Sequence, residues 1–402
     1  MKNLKYFYIE PYVYINYVKH KAILYNTLSH KYFIFDNPDV INFIKDLKLN
    51  NYVYEVNDDT INKTELTHFI KTMLDNYFGD FVKHVPGIKP FVFSPHIVIK
   101  EKYDEQDFIY EKITDQVYEV TLFLNGNCEF NCQHCGTAYR QINTCTKNES
   151  NIFDYNIFLK LLQQLNGFRQ FSYINILGGN LTKFNLLQNY VSLLEKLNAK
   201  KIIYFNAIQC IEYIEILNSM NYKNTIIIIQ FYDLHNFEII MEKLKNNAIK
   251  FEFIIKDMND LQKIDELLNH YHQLNYSLKP IYQNNMKFLQ EYIFTDENDF
   301  YENELNLNDI KRNLVLDSNF FGKIFITSNC DVYENLNRMP IGNLTKETLK
   351  ESLANAVHEN SSWFLTRSKV EPCCNCVLNT LCPPVSNLEL VLDKMNLCHG
   401  TN

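Results

Sequence analysis

No stretch of this chain stays apolar long enough to cross a bilayer. Its longest aliphatic run, Ile226–Ile229, falls far short of the roughly 20 residues a spanning helix needs. The opening residues, Met1-Lys2-Asn3-Leu4-Lys5-Tyr6, hold no uninterrupted apolar segment of the secretory kind, and Pro11 interrupts the next stretch. Basic charge is not in excess either. Lys and Arg number 39 against 47 Asp and Glu, a formal charge of −8, and no basic run is dense enough for a nucleic-acid footprint. There is no Ser/His/Asp arrangement, no Walker loop and no H-E-x-x-H helix. The expectation is a soluble, cytoplasmic protein with no nucleic acid and no membrane among its partners. Eleven cysteines without a secretory start then point to metal ligation in reducing cytosol rather than to a disulfide framework. At 402 residues the chain suits two or three units.

What is present centres on Asn127-Cys128-Glu129-Phe130-Asn131-Cys132-Gln133-His134-Cys135-Gly136, directly after the apolar run Val120–Leu124. Three thiolates spaced C-x3-C-x2-C can hold three irons of a 4Fe–4S cluster and leave the fourth open to a ligand. A zinc site normally wants a fourth local ligand; His134 is available but adjoins Cys135 and cannot easily turn toward the same ion.

This triplet resembles that of the radical S-adenosylmethionine (radical SAM) enzymes, which usually place an aromatic residue where His134 stands. The resemblance implies an open iron at Cys128, Cys132 and Cys135 that binds the amino and carboxylate groups of SAM, and one-electron cleavage of SAM to a 5′-deoxyadenosyl radical. Ile176-Leu177-Gly178-Gly179-Asn180 is similar to the family's Gly-Gly-Glu motif, which meets the methionyl ammonium. Asn180 replaces the acid: its side-chain carbonyl can still accept a hydrogen bond, without charge assistance. Gln230, ending the expected strand 225–231, is a candidate ribose contact by location.

Residues 1–84 read as a small α+β unit. Strand patterns at 6–9, 13–15 and 22–25 precede helical spacing through Val40, Phe43, Ile44 and Leu47, and again from Leu66 to Tyr77. It looks like the winged-helix peptide-recognition domain of radical SAM peptide maturases, to which a leader peptide adds as a strand; a plain structural cap fits the same residues. Residues 85–118 read as a bridging segment. From 119 to 283 strand and helix alternate. Strands are expected at 120–125, 173–178, 201–206, 225–231, 250–255 and 276–281, with helices at 153–165, 183–197, 209–220, 235–246 and 258–271. Near-continuous apolar strands suit a parallel sheet buried on both faces. The α/β class follows, and the resemblance implies a partial six-unit (β/α)6 barrel; a flavodoxin-like sheet is the alternative on periodicity. Residues 284–318 read as a connector, and 319–402 as a small Cys-rich domain opening on a hairpin at Lys323–Tyr333.

In the tail, Cys373, Cys376 and Cys382 form C-x2-C-x5-C, and Cys398 follows after fifteen more residues. Four thiolates close a metal site, as a 4Fe–4S cluster or as zinc. The arrangement resembles the SPASM/twitch extension, which carries auxiliary clusters. Ser386 stands where the full pattern has a further cysteine, and the upstream ligands near the hairpin are reduced to Cys330, so the resemblance implies one auxiliary cluster. Cys374 is a spare thiol or a substitute for Cys373, and Cys145 and Cys210 stand alone. Trp363 and Arg367 suggest a docking surface or an amphipathic-helix contact.

The resemblance implies a radical SAM enzyme that modifies a ribosomally synthesised precursor peptide by hydrogen abstraction, giving a thioether or carbon–carbon crosslink. Its partners would be a precursor peptide with a leader sequence and an electron donor of flavodoxin or ferredoxin type. The alternatives are an inactive scaffold that holds precursor peptide for a partner enzyme, and a β/α protein with structural zincs.

Overall fold

The computed structural model describes residues 4–57, 64–92, 112–128, 138–142, 151–181, 187–219, 224–245, 249–296, 299, 302–357 and 361–399. Among the described residues no helix is long and apolar enough to cross a membrane.

The head carries two antiparallel three-stranded sheets. In one, β1 (Lys5–Ile9) lies between β5 (Val53–Val56) and β6 (Gly79–Lys83); in the other, β3 (Lys21–Asn26) lies between β2 (Val13–Val18) and β4 (Tyr32–Phe35). Helix α1 (Pro38–Leu49) starts where Asn37-Pro38-Asp39 directs, the Asn37 side chain accepting from the N–H groups of Asp39 and Val40. With α2 (Thr64–Asp75) it buries Phe43, Ile44, Phe69 and Met73 against Phe7, Val13, Ile15 and Leu24. The opposite face of β2 and β3, with Tyr14, Ile23 and Tyr25, packs on Ile310, Val377 and Leu381 far along the chain. Burial on both faces explains why Ala22–Tyr25 reads as an unbroken apolar run. Strands β4, β5 and β6 were not expected. They are four or five residues long, and β6 begins at Gly79, where alternation gives little signal.

Beyond α3 (Ile113–Gln116) comes a nine-stranded sheet of order β12-β11-β10-β9-β8-β7-β13-β14-β15. Six consecutive parallel strands form most of it: β7 (Glu119–Asn125), β8 (Tyr173–Gly178), β9 (Lys200–Asn206), β10 (Thr225–Phe231), β11 (Ile249–Ile255) and β12 (Tyr276–Pro280). They match the six expected strands to within a residue or so. Their spatial order is their sequence order, so the reversal that marks a flavodoxin-like sheet is absent here. The intervening helices are α4 (Ala138–Ile142), α5 (Tyr155–Leu165), α6 (Leu187–Leu194), α7 (Ala207–Ser219), α8 (Phe237–Lys243) and α9 (Met258–His270). The helical layer packs on Val120, Leu122, Ile174, Ile176, Ile203, Ile227, Ile229 and Phe253.

After α10 (Met286–Tyr292) and α11 (Leu307–Val315), β13 (Lys323–Ile326) joins the sheet parallel to β7. It turns back into β14 (Asp331–Tyr333), which pairs with β15 (Gly342–Asn343). The expected hairpin is therefore present, its turn closed by Cys330 in a left-handed conformation. Helices α12 (Leu349–Ala354) and α13 (Asn387–Leu392) complete the chain.

The sheet is curled. Seven strand spacings of roughly 4.8 Å would put β12 about 34 Å from β14 in a flat sheet. Yet neighbouring residues of α4 reach both ends. The Arg140 carbonyl accepts from Asn337, just past β14, and Gln141 exchanges two hydrogen bonds with the backbone of Tyr282, just past β12. An Arg338 N–H to Asn335 carbonyl turn rules out reach through an extended loop.

Candidate functional site

The C-terminal ends of β7 and β8 are locked together by backbone. The Gly179 N–H donates to the Asn125 carbonyl at 2.6 Å, and the Asn180 N–H donates to the Asn127 carbonyl at 3.1 Å. Asn125, 7% exposed, adds both ends of its side chain: its Nδ2 donates to the Asn180 carbonyl, and its Oδ1 accepts from the Asn127 N–H. A Cβ on Gly179 would stand 1.8 Å from the Asn127 oxygen and 2.8 Å from the Cys128 nitrogen; one on Gly178 would meet Asn125 backbone at 2.6 Å. The Gly-Gly pair thus has a defined task. It lets the Asn127–Cys128 peptide lie directly on the second strand's turn. The approach that demands glycine comes from the chain itself, and it fixes where the cysteine loop begins.

Cys128 is half-buried at that point. Cys132, Cys135, His134 and Cys145 lie outside the described residues. The loop returns at α4, where Gln141, 7% exposed, donates to the Tyr282 carbonyl at 3.0 Å and accepts from its N–H at 2.6 Å. Asn180 is buried and uses both backbone groups in the clamp.

On the sheet face away from the helices, apolar Phe123, Leu177 and Phe325 pack together with half-buried Tyr204 beside a polar row. Gln230, 4% exposed, donates from Nε2 to Glu252 Oε1 at 2.7 Å, and Lys279 Nζ lies 3.9 Å from Glu252 Oε2. Asn175 Nδ2 donates to Glu119 Oε1 at 2.7 Å and to Thr121 Oγ1 at 3.0 Å. Burial, then the charges of Glu252 and Glu119, holds the Tyr204 phenol neutral far above its usual range. Among the described residues, Asn175 Oδ1, Ser277 Oγ and Thr327 Oγ1 on this face are buried without a hydrogen-bond partner, as is Ser362 Oγ elsewhere. Buried polar atoms are normally satisfied, so these three mark polar positions on the inner face that the described residues leave unfilled. A separate cavity of about 370 Å³ lies beside α9, lined by Phe231, Asp233, His235, Phe253 and Lys263.

The tail cysteines gather around Arg367. Its guanidinium grips Glu389 through two nitrogens at 2.6 and 3.1 Å and donates to the carbonyls of Pro383, Pro384 and Met395. One arm reaches the Cys373 sulfur at 3.7 Å. Cys398 lies within electrostatic range of Cys373, Cys376 and Cys382, and Cys373 within range of Cys382. Burial pushes the thiols of Cys373, Cys376 and Cys382 upward, most strongly at Cys382, while Arg367 pulls each down. Buried thiols held protonated beside a cation are a donor set that a metal would deprotonate, so the four residues fit a closed thiolate site. The set is gathered rather than closed: among the described residues no three His, Cys, Asp or Glu side chains stand in coordinating geometry, and Cys373 donates its proton to the Met395 carbonyl at 3.0 Å.

The remaining cysteines separate cleanly. Cys374 hydrogen-bonds toward Glu371, and Cys330 is buried near Tyr190 and Asp154, among the helices that cover the sheet. Cys210 is buried in the helical layer and bonded to the Asn206 carbonyl. Ser386 caps α13 in a reciprocal pair with Glu389. Trp363 forms neither a docking surface nor a helix stripe. It is fully buried in a 3-10 turn, donating to the Lys323 carbonyl. The roles of Asn125, Gln141 and Glu389 were missed by sequence reasoning. Only Asn125 left a local signal, in the Asn-Gly-Asn that leads into Cys128.

No protein-family model and no curated protein matches the chain. Among solved structures it is similar to SuiB of Streptococcus suis bound to precursor peptide SuiA, at 14% identity and a TM-score of 0.42, over 95% of this chain and 94% of that one. It is also similar to SuiB bound to S-adenosylmethionine, at 14% identity and 0.40, over 98% and 99%. A third is a histidine-tagged anSMEcpe with bound AdoMet, at 14% and 0.43, over 66% and 84%.

Proposed function

We propose that this chain is a radical SAM enzyme that modifies a ribosomally made precursor peptide. The observation that carries the reading is the Asn127–Cys128 peptide seated on Gly179. It places the start of a C-x3-C-x2-C loop at the C-terminal ends of the first two of six sequentially ordered parallel strands, where barrel folds put their chemistry. The curled sheet is then an open (β/α)6 barrel. Cys128, Cys132 and Cys135 would hold a 4Fe–4S cluster. Such a cluster would supply one-electron reduction of SAM, the chemistry needed to take hydrogen from a peptide carbon.

The chain's own residues do the positioning. The Asn125 clamp and the Gly178-Gly179 turn fix the loop's first cysteine, and Asn180, held in the same clamp, would meet the amino-acid end of SAM. Gln230, oriented by Glu252, offers hydrogen bonds toward a ribose. The acceptor of Asn175 and the hydroxyls of Ser277 and Thr327, unpartnered among the described residues, would supply polar contacts on the inner face for the substrate peptide. Cys373, Cys376, Cys382 and Cys398 would hold one auxiliary 4Fe–4S cluster, for which Arg367 compensates thiolate charge. The head would take the leader peptide as a strand added at an edge of one of its two sheets, as at β5 or β6. A flavodoxin- or ferredoxin-type protein would donate the electron, and the product would carry a thioether or carbon–carbon crosslink.

Iron partition tests the two-site assignment. After anaerobic reconstitution, Cys128→Ala should leave roughly half the wild-type iron, since each cluster holds four atoms. Cys382→Ala should lose the other half and keep SAM binding, followed by equilibrium dialysis. Equal iron in both variants and the wild type would remove these cysteines from the ligand sets.

A further inference from the structure

We infer that the N-terminal head is one wall of the C-terminal cysteine site, with Asn16 positioning the loop that joins Cys376 to Cys382. The inference rests on the reading of the tail cysteines as metal ligands.

Between those two cysteines lie Val377-Leu378-Asn379-Thr380-Leu381; the head hydrogen-bonds Val377, Asn379 and Thr380 and shares one hydrophobic cluster with Val377 and Leu381. Asn16 Nδ2 donates to the Val377 carbonyl at 2.9 Å and to Asn379 Oδ1 at 3.1 Å. The Tyr14 hydroxyl meets Thr380 Oγ1 at 3.0 Å. Val377 and Leu381 pack with Tyr14, Ile23 and Tyr25, and Leu378 and Cys382 join the edge of the same cluster. Asn379 and Thr380 are 6% and 2% exposed, so a short polar stretch that would ordinarily sit in water is enclosed. Asn313 Nδ2 holds the Thr380 carbonyl from the other side.

These contacts bear on metal because they set backbone next to ligands. Val377 adjoins Cys376 and Leu381 adjoins Cys382, and the intervening turns, with the Cys376 carbonyl accepting from Asn379 and the Leu378 carbonyl from Leu381 and Cys382, fix the distance between the two sulfurs. Metal–sulfur bonds tolerate only about 0.2 Å of displacement. A loop relaxed on its head side therefore yields a looser site. Linkage makes the effect mutual: if the docked head tightens the metal, the metal tightens the docked head by the same factor. Nothing in the sequence announces this, because Asn16 and Val377 are 361 residues apart.

The test uses the full chain with Cys128, Cys132 and Cys135 all replaced by Ser, so that only tail metal is counted. Iron and zinc per chain and the rate of release to a chelator are measured for this background, and with Asn16→Ala, Asn16→Ser or Tyr25→Phe added. Tyr25→Phe is the control for head docking alone, since its hydroxyl binds residues 303 and 305 of the connector and not the cysteine loop. Asn16→Ala should release metal about fivefold faster or more, the factor expected from one lost hydrogen bond. Asn16→Ser should recover part of that, and Tyr25→Phe should match the background. In the same background Cys376→Ser should raise amide hydrogen exchange in Val13–Asn26. Unchanged release in Asn16→Ala with unchanged exchange, while the background holds metal, overturns the inference. Release accelerated equally by Tyr25→Phe would support the head as a wall of the site and overturn the positioning role of Asn16, since docking alone would then suffice. A background chain that takes up no metal overturns the assignment of the tail cysteines, and the inference with it.

Discussion

Gly179 concentrates the residue-scale chemistry. The position faces backbone, and backbone cannot rotate aside as a side chain can, so a methyl group 1.8 Å from the Asn127 carbonyl must displace the loop or the turn. Gly179→Ala is therefore expected to cost about 2–4 kcal/mol, in the range of severe overpacking. Because the strain falls on the Asn127–Cys128 peptide, iron at the triplet should be lost while metal at the tail is retained; iron counts with and without Cys382→Ala separate the two. The tail site depends on a different kind of contact. Arg367 satisfies a buried carboxylate and three carbonyls at once, a geometry for which lysine has too few donors in the wrong plane.

At the scale of elements, the inner parallel strands were legible in the sequence because β7, β8, β10 and β11 are rich in β-branched or aromatic residues and largely buried, as Ile226–Ile229 shows, whereas the edge strand β12 is half-exposed. The cysteine loop and the Gly-Gly turn were legible as motifs. Their relation was less so: the glycines read as room for a ligand, whereas the structure fills that room with Asn127. Strands β4 to β6 were missed because four or five half-buried residues carry too little alternation. Glu389 was missed because its partner Arg367 lies 22 residues away on irregular chain. Trp363 showed that a large aromatic beside a cysteine cluster can be wholly structural, packed on Phe321 and bonded to β13. Helix α4 is the element that closes the mouth of the sheet, and Gln141 is its anchor. Gln141→Ala would strand the Tyr282 N–H and carbonyl and should destabilise the chain by about 1–3 kcal/mol. Hydrogen exchange should rise at α4 and just beyond β12 while β7 and β8 stay protected; a uniform rise would mean that α4 is not a separate latch.

Across the whole molecule, both chain ends converge on one region. The head's outer sheet face lies on the tail cysteine loop, the tail pairs with Thr295 beyond β12, and β13 extends the parallel sheet from β7. The described residues on either side of the triplet segment thus lie at opposite edges of the six-stranded array, Cys128 beyond β7 and Gln141 against Tyr282 beyond β12. The direct measurement is anaerobic reconstitution with iron and sulfide, reduction, addition of SAM, and quantification of 5′-deoxyadenosine. The wild-type chain should release 5′-deoxyadenosine and Cys128→Ala none. A chain fully loaded at both sites that binds SAM and yet forms no 5′-deoxyadenosine would contradict the radical SAM assignment.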